Sequence, residues 1–331
     1  MSLSVVLLLA ACALHAPPPG ATDPVSGPIP AADAGLYSEL AIDGPLEARL
    51  SRASADVILF YGGEQRGSME TCGCPHRPRG SLARVASYVA AERAASPQTP
   101  ALLLNAGEWL IEAVGFQNMP MPQLAVMDRT LAEGLIVGGW DVLNVTPKDL
   151  AGLPGVASAD LDRLPLVSAN IEGPHIARSR TFHLGARTIA VTGVAAPEVL
   201  AAELPGYTIH PVADALPVLQ QIAAEVDGVV LLAYNSADGA RMLAQRVPRV
   251  IAVIDAGGHN QAVEPFYVRN AVWALSYTLT MRLGELRLTF DASGRPGALD
   301  RHVDLDPAIP DEPILAGMQQ RARAEIDGTE M

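Results

Sequence analysis

Two cysteines separated by a single glycine, in Thr71-Cys72-Gly73-Cys74-Pro75-His76, form the most reactive short pattern in this sequence. Two thiolates at that spacing converge on one soft ion but supply only half of a tetrahedral site. His76 or a group from another turn must then complete it. The same pair could form a disulfide or cycle as a redox couple, or it could lie half-buried and inert. A second group of candidates lies where apolar runs end in polar or glycine-rich turns: Gly62-Gly63-Glu64, Gly107-Glu108, Asn144, Tyr234-Asn235 and Gly257-Gly258-His259. In open α/β sheets that edge is where ligands bind. His15, His175, His183, His210 and His302 have no ligand spacing, and surface or core packing accounts for them.

The elements that would position these turns alternate along the chain. Short aliphatic runs at 56–61, 101–106, 141–145, 165–169, 186–194, 227–234, 250–255, 271–277 and 281–290 read as strands. The last of them alternates, which predicts one solvent-facing side. Helical periodicity falls at 81–95, 121–136, 211–225, 236–246 and 312–326, with Leu82, Val85, Ala86 and Val89 on one face of the first. The 331 residues can bury a large core, and aromatics at 5% leave it to Ala, Val, Leu and Ile. With 23 basic against 36 acidic side chains, the net charge of −13 argues against nucleic acid as a partner. One lysine, Lys148, stands against 22 arginines, a bias that makes any single arginine weak evidence of selection.

The N-terminus reads as export. Ser4 to Leu14 is apolar but too short to span a bilayer. Its end, Leu9-Ala10-Ala11-Cys12, resembles a bacterial lipobox, which implies lipidation at Cys12 after removal of a signal peptide, residues 1–11. Residues 12–50, rich in Pro, Gly and Ala, then form a disordered tether, and 51–331 form the folded domain. The expected location is the cell envelope, anchored by lipid and facing the periplasm.

Taken in chain order, the strand-end turns resemble those of the calcineurin-like metallophosphoesterases, specifically the N-terminal catalytic domain of bacterial 5'-nucleotidases. The sharpest match is Gly258-His259-Asn260-Gln261 after the strand VIAVID, supported by Pro165 to Ile171. The length leaves room for the catalytic domain alone. The resemblance implies an α/β sandwich of two mixed sheets face to face with helices outside, four layers in the order αββα. It also implies two-metal hydrolysis of phosphate esters by divalent ions. Its metal-site positions fall at Glu64, Arg66, Glu108, Asn144, Asn235, His259 and Gln261. Glu64 and Glu108 stand for aspartates and Asn235 for a histidine. Val145 stands where a histidine would assist the leaving group, and Arg66 cannot ligate a cation because a guanidinium keeps its proton. A fixed positive charge there can satisfy two carboxylates without any ion, so Arg66 is expected to pair with Glu64 and Glu108. The segment from Thr71 to Arg84 further resembles a Cys-Gly-Cys-Pro subgroup of nucleotidase-like lipoproteins, in which Cys72, Cys74, His76 and His259 could share a metal.

Two functions follow. One is an envelope lipoprotein with a degenerate, weakly active or inactive domain that binds an ion or a protein partner through the cleft or the Cys72–Cys74 loop. The other is a surviving metal-dependent hydrolase of small phosphate esters or nucleotides.

Overall fold

The computed structural model describes residues 55–71, 76, 78–110, 121–197, 204–257 and 265–328, all within the unit Leu40–Met331. The expected signal peptide, Cys12, the tether, Cys72, Cys74, His259 and Gln261 lie outside the described residues.

The strands are β1 (Val57–Gly62), β2 (Ala101–Asn105), β3 (Val142–Asn144), β4 (Leu166–Val167), β5 (Ile171–Glu172), β6 (Arg180–Leu184), β7 (Arg187–Ala195), β8 (Thr208–Ile209), β9 (Gly228–Tyr234), β10 (Val250–Ala256), β11 (Phe266–Val268), β12 (Ala271–Leu275), β13 (Arg282–Phe290) and β14 (Pro296–Asp304). The helices are α1 (Leu82–Ala95), α2 (Met121–Val137), α3 (Pro147–Gly152), α4 (Ser158–Leu161), α5 (Leu216–Glu225), α6 (Ala237–Arg246) and α7 (Pro313–Gly328). Every expected strand and helix is present. The unexpected ones are short or polar, such as β6, whose side chains are largely exposed at a sheet edge.

One sheet has the order β14-β13-β1-β2-β3-β4 and the other β11-β12-β10-β9-β7-β6; β5 and β8 pair separately. In the first, β1 to β4 run parallel and β13 joins β1 antiparallel. In the second, β7, β9, β10 and β12 are parallel. Parallel strands covered on both faces need continuous apolar sequence, and β1, β9 and β10 are buried at every position. Alternate residues of β9 serve two layers: Val230, Leu232 and Tyr234 join the cluster between the sheets, while Val229, Leu231 and Ala233 pack with Leu219 of α5 and Leu243 of α6. Trp109 and Trp273 are packing residues, 0% and 2% exposed.

The alternation in 281–290 does not produce a solvent-facing side. β13 lies between β1 and β14, and Glu285 and Arg287 are 0% and 4% exposed. The polar positions are occupied by a buried ion network instead. Glu285 accepts from Arg287 (2.5 Å), Arg301 (2.7 Å) and the Tyr88 hydroxyl (2.6 Å), while Arg287 reaches Glu92 of α1 at 3.3 Å. Burial raises the Glu285 carboxyl, but these donors outweigh it and the net direction is down.

Candidate functional site

Parallel β1, β2 and β3 deliver Glu64, Glu108 and Lys148 to one edge, where β9 brings Tyr234 from the other sheet. The two edges meet closely. Gly107 has φ +127°, and a Cβ there would lie 2.5 Å from Thr146 Cγ2 and 3.1 Å from Tyr234 Cβ, so glycine is required by both conformation and space.

Arg66 lies between the two carboxylates as the sequence predicts. Its Nη2 donates to Glu64 Oε1 at 2.8 Å and its Nε to Glu108 Oε2 at 3.0 Å. Lys148 Nζ takes the other oxygen of Glu108 at 2.8 Å and also donates to the Tyr234 hydroxyl at 3.1 Å. Glu64 and Glu108 are 1% and 4% exposed, so two buried carboxylates face two fixed cations. Burial pulls the Arg66 guanidinium down, but Glu108 and Glu64 more than offset it, and the net direction is up.

Backbone conformation marks the same place. Glu64, Arg66, Glu108 and Asn235 all have positive φ, between 47° and 55°, which costs a non-glycine residue roughly 1–3 kcal/mol each. The strain is held by backbone bonds: Glu64 N–H to Gly107 O (2.8 Å), Arg66 N–H to Glu108 O (2.9 Å) and Asn235 N–H to Ala256 O (2.9 Å). Asp149, fully buried, supports Glu108 from below. Its carboxylate accepts from the N–H groups of Glu108, Trp109, Leu110 and Thr146 and from the Thr146 hydroxyl, at 2.7–3.1 Å. Burial raises this carboxyl to about 7 against the pull of those donors. Thr146 and Asp149 also form the capping box of α3, with Pro147 in its first turn.

Asn144, which ends β3, donates from Nδ2 to Ala106 O (2.9 Å) and Val194 O (3.1 Å), and a Cβ on Gly193 of β7 would lie 1.9 Å from its Oδ1; among the described residues that oxygen is buried with no hydrogen-bond partner. The turn after β3 also sends Lys148 to the site, and Asp149 beside it is the other functional residue missed in the sequence. Val145 is fully buried in the core. Asn235 is exposed and lines a 610 Å³ cleft with Ala196, Ser236, Asp238, Asp255 and Gly257. His76 is exposed.

Among the described residues the donors at this edge do not fit a pair of divalent ions: both carboxylates are bonded to cationic side chains, and an amide such as Asn235 is a poor exchange for imidazole. Among the described residues, no group of three or more His, Cys, Asp or Glu side chains is placed to hold a metal.

Two mixed sheets stacked face to face, with the polar turns gathered at their carboxyl edges, make this a calcineurin-like metallophosphoesterase fold of the 5'-nucleotidase-like kind. No family model matches the sequence, and no curated protein does. Among solved structures the chain is similar to the sulfate thiohydrolase SoxB of Thermus thermophilus, with TM-score 0.68 and 14% identity over 82% of this chain and 61% of that one. The NAD nucleotidase NadN of Haemophilus influenzae gives 0.67 and 11% over 82% and 60%. The calcineurin-like phosphoesterase YfkN of Bacillus subtilis gives 0.59 and 14% over 82% and 97%. The chain spans about three-fifths of the first two. At these identities the likeness concerns the fold, and activity is a separate question.

Proposed function

We propose that this chain is an envelope lipoprotein whose metallophosphoesterase-like domain has Arg66 and Lys148 in place of a metal pair, and which acts by binding rather than by hydrolysis. The observation that carries the reading is the guanidinium bonded to Glu64 and Glu108 at 2.8 and 3.0 Å. With the cation position filled by side chains, nothing at the described site can lower the pKa of a water or polarise a phosphoryl oxygen as a divalent ion does. Binding of a metal or a protein partner is then assigned to the cleft at Asn235 or to the Cys72–Cys74 loop.

Assays of the purified chain with aryl phosphate mono- and diesters and nucleotides, each with added Mg²⁺, Mn²⁺ or Zn²⁺, should give rates equal to those of the metal in buffer. Turnover that is lost in His259→Ala would establish the opposite reading, a surviving metal-dependent hydrolase. The anchor is tested separately. The proposed attachment is lipid on Cys12, and among the described residues no helix is long and apolar enough to cross a membrane. Cys12→Ala should move the chain from the membrane fraction to the soluble one, and unchanged partitioning would remove the lipid from this proposal.

A further inference from the structure

We infer that Arg66 presents a second edge, facing solvent, that binds a monoanionic carboxylate ligand. The inference rests on the reading above, that Arg66 fills the old cation position. A guanidinium has two edges able to make paired, parallel hydrogen bonds: one formed by Nε and Nη2, the other by Nη1 and the outer hydrogen of Nη2. Glu64 and Glu108 use the first edge. Among the described residues Nη1 makes no hydrogen bond, and the side chain is 42% exposed. Most exposed arginines must be ordered before they can grip anything, which costs rotamer entropy. Here two buried carboxylates have already fixed the guanidinium plane, and the Arg66 backbone is itself held by Glu108 O. The fork is therefore preorganised.

Charge selects the ligand. Among the described residues Glu64 and Glu108 balance Arg66 and Lys148, which leaves no surplus positive charge there to offset a dianion. Asp238 and Asp255 in the adjoining cleft lining, and the net charge of −13, weigh further against one. A planar carboxylate satisfies both outward N–H groups while bringing a single charge.

The test is an NMR titration of the arginine side-chain nitrogens in the full chain at constant ionic strength, with acetate, sulfate and inorganic phosphate as probes. Acetate should shift the Arg66 signals saturably, with an affinity about tenfold above that for sulfate or phosphate. Arg66→Lys, which keeps the charge but lacks the fork, should bind acetate about tenfold more weakly. No saturable shift at Arg66, tighter binding of either dianion, or equal binding by Arg66→Lys would overturn the inference. The wild-type titration stands even where the variant fails to fold. Zn²⁺ added alone separates the two readings. Loss of the Arg66 Nε–H bond to Glu108 under Zn²⁺ would overturn the filled-site reading, whereas an intact bond with a silent acetate titration would overturn only the carboxylate site.

Discussion

Asp149→Asn should be the most damaging single substitution near the site, costing about 2–5 kcal/mol above about pH 7, where the group is a carboxylate. The carboxylate is fully buried and accepts from five donors across two segments. An amide keeps one acceptor oxygen and turns an NH₂ group toward the others. The Thr146 hydroxyl can rotate to accept from it, but two backbone N–H groups lose their acceptor at about 1–3 kcal/mol each. The effect also has a pH signature. Burial raises the Asp149 carboxyl from its ordinary 3.8 to about 7, so the folded state binds its proton more tightly than the unfolded chain does. The stability this contributes is complete below about pH 4 and is lost as pH rises through about 7. Asparagine does not titrate in this range. The gap between wild type and variant should therefore be widest at acid pH and narrow by roughly 1–3 kcal/mol between pH 5 and pH 8. Thermal melts across that range read both effects, and a constant gap would show that Asp149 does not bind a proton as argued.

Arg66→Ala should destabilise by about 1–3 kcal/mol and, more distinctively, create a cation site. Removing one partner of a buried pair costs about 3–5 kcal/mol, because the remaining charge is left uncompensated. The exposure of the arginine lets water recover part of that, hence the lower figure. Glu64 and Glu108 would then flank the position the guanidinium leaves, and among the described residues Lys148 would still hold Glu108. Excess Mn²⁺ should raise the melting temperature of Arg66→Ala and leave wild type unchanged, because a ligand stabilises only the state that binds it. An equal response in both proteins would mean that the guanidinium does not block the carboxylates.

How much of this could be read beforehand depends on what each residue's neighbours in sequence reveal. The sandwich was legible because β1, β9 and β10 are uninterrupted apolar runs ending in polar turns. The Arg66 pairing was legible because a guanidinium cannot be a ligand, whatever its surroundings. Asn144 closes a strand at the expected edge, and only the packing of β3 against β7 shows that its Nδ2 is spent on Ala106 O and Val194 O. Lys148 did leave a signal: the one lysine of the chain sits three residues after a predicted strand, yet the arginine bias made it look like composition. Thr146-Pro147-Lys148-Asp149 carried the spacing of a capping box, which would have placed Asp149 at a helix start but not its grip on Glu108, Trp109 and Leu110. In β13, alternation predicted solvent because Glu285 and Arg287 are charged, and the partners that bury them come from α1 and β14, distant in sequence.

The most direct test of the central claim is the metal content of Cys72→Ser/Cys74→Ser chain purified without tags or chelators, measured by elemental analysis after equilibration with Mn²⁺ and Zn²⁺. The double substitution removes the thiols, so remaining metal that depends on Glu108 reports on the old phosphoesterase site. With Arg66 and Lys148 on the carboxylates, metal should be well below one equivalent. A full equivalent that disappears in Glu108→Gln would contradict the account, because it would show a divalent ion displacing the guanidinium from its place.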